Sequence, residues 1–284
     1  MTREKRYVTN SAGAAGDPKT GYAPANGLNL YYEIHGDGQP LILLHGGLQA
    51  AEMLGAILPS LSSTRQVIAV DLQAHGRTAD IDRPLRYETM AGDIAALMKH
   101  LGIAQADLMG YSLGGGVALR TAIQYPEAVR KLVLVSTVFR RDAWYPEVLA
   151  AMAQIAAQSA EMMKPSPLYK TYARIAPRPA DFPVLVAKMG ELLRKDYDWS
   201  IEVAAIKAPV MLVFADADAI RPERMVEFFQ LLGGGRKDAG WDGSGMSHAR
   251  LAILPGLTHY NIFSSPALVP TVTPFLEAPM PRLQ

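Results

Sequence analysis

The stretch Gly110-Tyr111-Ser112-Leu113-Gly114-Gly115 limits what this chain can fold into more than any other part of it. It follows residues 106–109, a short apolar run bounded like a buried strand, and passes without a break into the helical spacing of residues 113–125, which Pro126 ends. A strand that turns directly into a helix crowds its own backbone, so the residues two before and two after the turn have no room for a side chain. Gly110 and Gly114 occupy those positions around Ser112. The turn would lift the serine hydroxyl out at the carboxyl edge of a sheet. There it sits beside the positive end of a helix, where developing negative charge is favoured.

The rest of the chain has the rhythm that such a turn requires. Short apolar or β-branched runs at residues 28–34, 41–44, 66–70, 106–109, 131–135, 210–214 and near 250–254 alternate with helical patterns at 51–61, 87–101 and 113–125. This predicts an α/β fold with a mostly parallel central sheet and helices on both faces. Residues 28–34 and 41–44, joined by the turn residues 36–39, read as a hairpin entering that sheet. From 138 to 206 the pattern becomes Ala-, Met- and aromatic-rich helix broken by Pro165, Pro167, Pro177, Pro179 and Pro183. The expectation is a flexible arm at 1–20, a core of 21–137 and 207–284, and a helical cap at 138–206 over the carboxyl edge of the sheet, where open α/β sheets bind ligands. Residues 233–247 form a second irregular segment, rich in Gly and polar residues, with no role evident from sequence.

Charge and composition remove several classes of function. The chain has 28 Lys and Arg against 27 Asp and Glu, so its net charge of +1 supplies no basic field for nucleic acid. With no Cys there is no disulfide, no thiolate metal site and no cysteine nucleophile. Neither a secretory signal nor an apolar run of about 20 residues is present, so the expectation is a cytoplasmic protein with no membrane span.

A serine hydroxyl is a weak nucleophile at neutral pH and needs a base in hydrogen-bond reach, with a carboxylate to orient that base. Residues 210–214 run into Ala215-Asp216-Ala217-Asp218, which puts two acids at the carboxyl end of a strand, either of which could face the base. His259 follows the last strand and precedes the last helix, expected from about Ser265, and is the best-placed base. Of the other five histidines, His35, His45, His75 and His100 come before the nucleophile, against the expected Ser, acid, His order, and His248 is the alternative. Trp144, Tyr145, Tyr169, Tyr172 and Trp199 either line an apolar pocket or fill the cap interface.

These residues resemble the α/β-hydrolase superfamily, in particular its serine esterase and cofactor-free haloperoxidase-like branch, from about Gly21 to Leu276. The resemblance implies that Ser112 is the nucleophile, His259 the base and Asp218 the acid, although Ala215 stands where the family has Gly. It also matches His45-Gly46-Gly47-Leu48 to the oxyanion loop, so that the backbone amides of Gly47 and Leu113 would hold the oxyanion, and Asp71 to Thr78 to a supporting loop. The implied reaction is hydrolysis of a carboxylic ester of a small to medium, largely apolar molecule through an acyl-enzyme, with no cofactor and no metal. Lactonase, amidase, thioesterase, carbon-carbon hydrolase and perhydrolase chemistry use the same triad. A weakly active ligand receptor on the same fold is the reading of a different class.

Overall fold

The computed structural model describes residues 17–280. Its eight strands are β1 (Lys19–Ala25), β2 (Leu28–His35), β3 (Gln39–Leu44), β4 (Arg65–Val70), β5 (Ala106–Tyr111), β6 (Val129–Val135), β7 (Val210–Ala217) and β8 (Ala249–Thr258). They form one sheet in the order β1-β2-β4-β3-β5-β6-β7-β8, with β1 and β2 antiparallel and every pair from β4 to β8 parallel. The α/β architecture expected from the alternation of runs is therefore present.

The expected hairpin is not. β2 pairs with β4, and β3 lies one strand further in, between β4 and β5. Residues 36–38 are a crossover, Gln39 already belongs to β3, and the real hairpin is β1 with β2, turned at Asn26 and Gly27, both with positive φ. β1 was not legible because its sequence, KTGYAPA, has no apolar run. It begins at Lys19, inside the span expected to be an arm, and residues 1–16 of that arm lie outside the described residues.

The inner parallel strands β3 to β7 are apolar through their middles because helices cover both faces. Along β3, Ile42 and Leu44 face one core while Leu41 and Leu43 face the other. The first core is closed by α2 (Tyr87–His100), α3 (Leu113–Gln124) and, further along the chain, α9 (Pro222–Leu231); the second is closed by α1 (Leu58–Ser62) and α10 (Leu268–Glu277). Each fully buried Leu or Ile contributes on the order of 2 kcal/mol, so the alternation fixes which face each strand presents. The helix expected over 51–61 is shorter, a single 3₁₀ turn at Ala51–Leu54 followed by α1.

Between β6 and β7 the chain forms α4 (Pro146–Ala153), α5 (Ser159–Met163), α6 (Pro167–Ile175), α7 (Phe182–Arg194) and α8 (Ser200–Ala204). Pro146, Pro167 and Pro183 each sit in the first turn of a helix, where a missing N–H costs nothing. Ion pairs tie these helices to the loops beyond β3 and β4: Arg174 bonds Glu52, and Lys188 bonds Asp80. Among the described residues no helix is long and apolar enough to cross a membrane.

Candidate active site

The site is built where the parallel strands end. β5 pairs with β6 up to Tyr111 and Val135, and Ser112 donates its amide to the Val135 carbonyl at 3.0 Å, so Ser112 and Ser136 leave the sheet side by side. The β7 and β8 strands run further than their apolar cores, and their last pair is Ala217 with Thr258. The next residue on each strand is Asp218 and His259. Parallel pairing thus brings the acid and the imidazole together before any side-chain bond forms.

Ser112 has φ +51° and ψ −114°, a conformation that L-residues rarely hold, and it is the hinge between β5 and α3. The glycines around it meet the crowding read from sequence: a Cβ on Gly110 would stand 2.3 Å from the Gly114 carbonyl oxygen. The Ser112 Oγ lies 3.2 Å from His259 Nε2, and His259 Nδ1 lies 2.9 Å from Asp218 Oδ1. An ionised carboxylate accepts but does not donate, so the shared proton sits on Nδ1 and the Nε2 lone pair faces the serine hydroxyl.

Asp218 is buried, and burial alone would raise its pKa. The hydrogen bond and charge of His259, the Ser136 hydroxyl and the Ala215 amide outweigh burial and hold the carboxyl below its ordinary range. Tyr111 donates its hydroxyl to the His259 carbonyl at 2.7 Å, and the Trp144 ring stands edge-on to the imidazole at 5.1 Å. The imidazole is thereby held at its backbone, its Nδ1 and its face.

The loop after β3 is pinned from below. His45 donates from Nδ1 to the Gly46 carbonyl at 2.7 Å and accepts the Leu72 amide on Nε2 at 3.1 Å, while burial lowers its pKa to about 3, so it stays neutral and structural. Asp71 accepts the amides of Ala51 and Arg77, and Thr78 donates to the Asp71 carbonyl. These contacts hold the Gly47 turn next to the start of α3: a Cβ on Gly47 would lie 3.9 Å from Leu113 Cβ and 2.8 Å from the Met189 methyl of α7. Leu113 is the first residue of α3, so its amide has no acceptor within the helix.

The sequence-derived residues Ser112, Asp218 and His259 are therefore joined in one hydrogen-bonded line, with Gly47 and Leu113 adjacent to each other. Asp216 is not part of it. Its side chain is exposed and accepts the Leu257 amide at 3.2 Å. His248 lies at the opposite end of β8, before its first residue, and does not compete as base. Sequence reasoning missed Ser136, which is fully buried with φ +47° and donates to Asp218 Oδ2. The available signal was the polar Ser-Thr pair that ends the β6 run one strand from the acid.

Ser136 acts on the imidazole only through Asp218, which makes it a positioning residue. Ser136→Ala removes a hydrogen bond to a charged group, which is worth roughly 1.5–3 kcal/mol. The expected result is a tenfold or greater fall in kcat, on the order of 1.4 kcal/mol per tenfold, with KM unchanged. A KM effect alone, or no effect, would show that the second carboxylate oxygen needs no donor.

The family model described as alpha/beta hydrolase fold matches residues 39–238. A pimeloyl-[acyl-carrier protein] methyl ester esterase from Neisseria meningitidis is 35% identical over 205 residues, covering 66% of this chain and 77% of that protein. An sn-1-specific diacylglycerol lipase from Danio rerio is 35% identical over 116 residues, 39% of this chain, and the chain spans only 36% of the lipase's length. Among solved structures, a thermophilic esterase from Thermogutta terrifontis superposes with a TM-score of 0.69 at 23% identity, over 92% of this chain and 98% of that one, a likeness of fold alone. With the eight-stranded sheet, the strand-to-helix turn at Ser112 and a family match over most of its length, the chain belongs to the α/β-hydrolase fold family.

Proposed function

We propose that this hydrolase cleaves carboxylic esters through an acyl-enzyme on Ser112, with His259 as general base and acid and Asp218 as the orienting carboxylate. The observation that carries this reading is the unbroken line from Ser112 Oγ through His259 to Asp218 at 3.2 and 2.9 Å. In the first half-reaction, Ser112 Oγ bonds to the ester carbonyl carbon as its proton passes to His259 Nε2. The carbonyl π pair moves to oxygen, where the amides of Gly47 and Leu113 would receive it. Preorganised donors of this kind are worth about 3 kcal/mol each.

When the tetrahedral centre collapses, the bond to the alcohol oxygen breaks and His259 returns its proton to that oxygen. Water then attacks the acyl carbon, losing its proton to the same nitrogen, and Ser112 leaves as the hydroxyl. Every proton is taken and returned by His259, so the cycle closes on residues of this chain. The reading takes 21–137 and 207–284 as the core and 138–206 as a cap over the site. Met189 of α7 supports the second part, since its methyl reaches Gly47. With Leu113 and Trp144 it gives the surroundings of the serine an apolar character suited to a small to medium acyl or alcohol group, the small-molecule ester that would be the partner.

The test is covalent labelling. A fluorophosphonate is expected to modify the wild-type protein at Ser112 and to leave Ser112→Ala unmodified, while aryl esters of graded acyl length turn over. A protein that neither labels nor turns over would be the ligand receptor that keeps the fold. Labelling with turnover of lactones, amides or thioesters but no simple ester would keep the triad and move the bond cleaved.

A further inference from the structure

The irregular segment 233–247 takes no part in the site above and lies at the other end of the sheet. Together with the starts of β6, β7 and β8 it forms a groove of about 1240 Å³. Seven residues of β6 separate this edge from the carboxyl edge that carries the elbow, roughly 20 Å. The lining carries five cationic side chains, of which Arg130 is paired with Asp107 and Lys207, Arg236, Lys237 and Arg250 remain, and no Asp or Glu lines it among the described residues. None of these four forms an ion pair with a carboxylate among the described residues. Arg250 turns one terminal nitrogen to the carbonyls of Ser247 and Ala249, which fixes the guanidinium at the groove wall.

In a chain whose net charge is only +1 with these residues included, four uncompensated cations on one concave surface are a local concentration of charge. Nor is the segment a loose flap. Gly234 packs so closely on the Phe229 ring that a Cβ would come within 2.2 Å of it, and Gly233 and Gly235 on either side both have positive φ. That path along the ring delivers Arg236 and Lys237 to the rim. Further on, Gly245 donates to the Ala239 carbonyl and Ser244 to Asp242, which closes the segment on itself. Phe229 and the exposed Met246 and Met280 give the lining an apolar part, and Ser244 and Ser247 also line the groove.

We propose that this groove binds a nucleoside polyphosphate, with its phosphates against Lys207, Arg236, Lys237 and Arg250 and its flat base against the apolar part of the lining. Guanidinium forks match phosphate oxygens, and a triphosphate carries about as many negative charges as the groove has unpaired positive ones. The site is independent of the ester chemistry at Ser112.

Calorimetric titration of the full chain with ATP, tripolyphosphate and adenosine tests it. Trp241, fully exposed on the segment, is a second reporter, because Trp144 and Trp199 are buried. ATP is expected to bind saturably with a Kd on the order of 100 μM that weakens as salt is raised, and more tightly than either half alone. The double variant Arg236→Ser with Lys237→Ser should raise that Kd about tenfold, with aryl-ester turnover unchanged as proof of folding. Three results would overturn the proposal: no binding of ATP at about 5 mM, equal binding by the double variant, or tripolyphosphate binding as well as ATP. A change in Trp241 fluorescence on phosphatidylglycerol vesicles, without binding of ATP, would replace the nucleotide by a membrane surface.

Discussion

Asp218→Asn is expected to lower kcat for an aryl ester by about 10⁴-fold, while Asp216→Asn leaves it within about a factor of two. The two acids are two positions apart, with only Ala217 between them, yet their surroundings differ completely. Asp218 has no exposed side-chain surface and receives His259 on one oxygen and Ser136 and the Ala215 amide on the other. An Asn in its place presents an NH₂ that donates where a carboxylate accepted. Facing His259 Nδ1, that donor favours the tautomer with its proton on Nε2, which cannot take the serine proton. The variant should fold, since the amide has the carboxylate's shape. Asp216 holds only the backbone of the β8 end and reaches neither the imidazole nor the serine. Steady-state kinetics of both variants decides the matter, and a larger loss in Asp216→Asn would show that the acid has been placed one pair of residues too late.

The sign of the pH effect follows from the same contacts. The folded-state pKa of Asp218 lies below its ordinary 3.8. Its ionised form therefore adds stability above the unfolded value, and that contribution is lost as pH falls through the lower, folded one. At neutral pH Asp218→Asn should thus cost stability as well as turnover, and a circular-dichroism melt separates the two by showing the fraction folded at the assay temperature.

How far the sequence reached depended on whether a feature was local. The elbow was legible because two glycines, a buried strand and a helix are adjacent in the chain and each constrains the next. Strands 3 to 7 were legible because burial on both faces makes their middles continuous apolar runs, and the edge strand β8 because Leu251 to Leu254 is a short apolar run, each within a few residues of its ends. The missed ends had one cause. Ala215 to Ala217 and Leu254 to Thr258 include polar residues, a proline and a glycine, but the two strands go on pairing past a register shift and carry Asp218 and His259 to adjacent positions. The hairpin error was of another kind. Two consecutive strands joined by four turn residues ordinarily pair, and only the non-local choice of β4 as neighbour to both separates β2 from β3. Ser136 was hidden for the same reason: its partner is 82 residues away, and the Ser-Thr pair that ends the β6 run does not by itself name that partner.

Gly114→Ala is expected to destabilise the protein by about 3 kcal/mol or more, a fall in melting temperature of roughly 6 °C, and to abolish most ester turnover in what remains folded. A Cβ there would stand 2.4 Å from the His45 carbonyl oxygen and 2.5 Å from that of Leu44. Neither obstacle is a side chain that can turn aside. Leu44 is the last residue of β3, paired with both β4 and β5, and His45 is fixed through both ring nitrogens, so relief requires α3 to move away from the sheet. That movement would carry Leu113 away from Gly47 and change the distance between Ser112 and His259. Gly102→Ala is the control. Gly102, unlike Gly114, has a positive φ, +69°, and no atom lies within 4 Å of its Cβ position, so only the backbone preference of about 1 kcal/mol is lost. If both variants melt alike and Gly114→Ala retains turnover, close approach of β3 to α3 is not what demands glycine at the elbow. A large gap between them, with activity lost only in Gly114→Ala, ties the position of the nucleophile to the absence of a single methyl group.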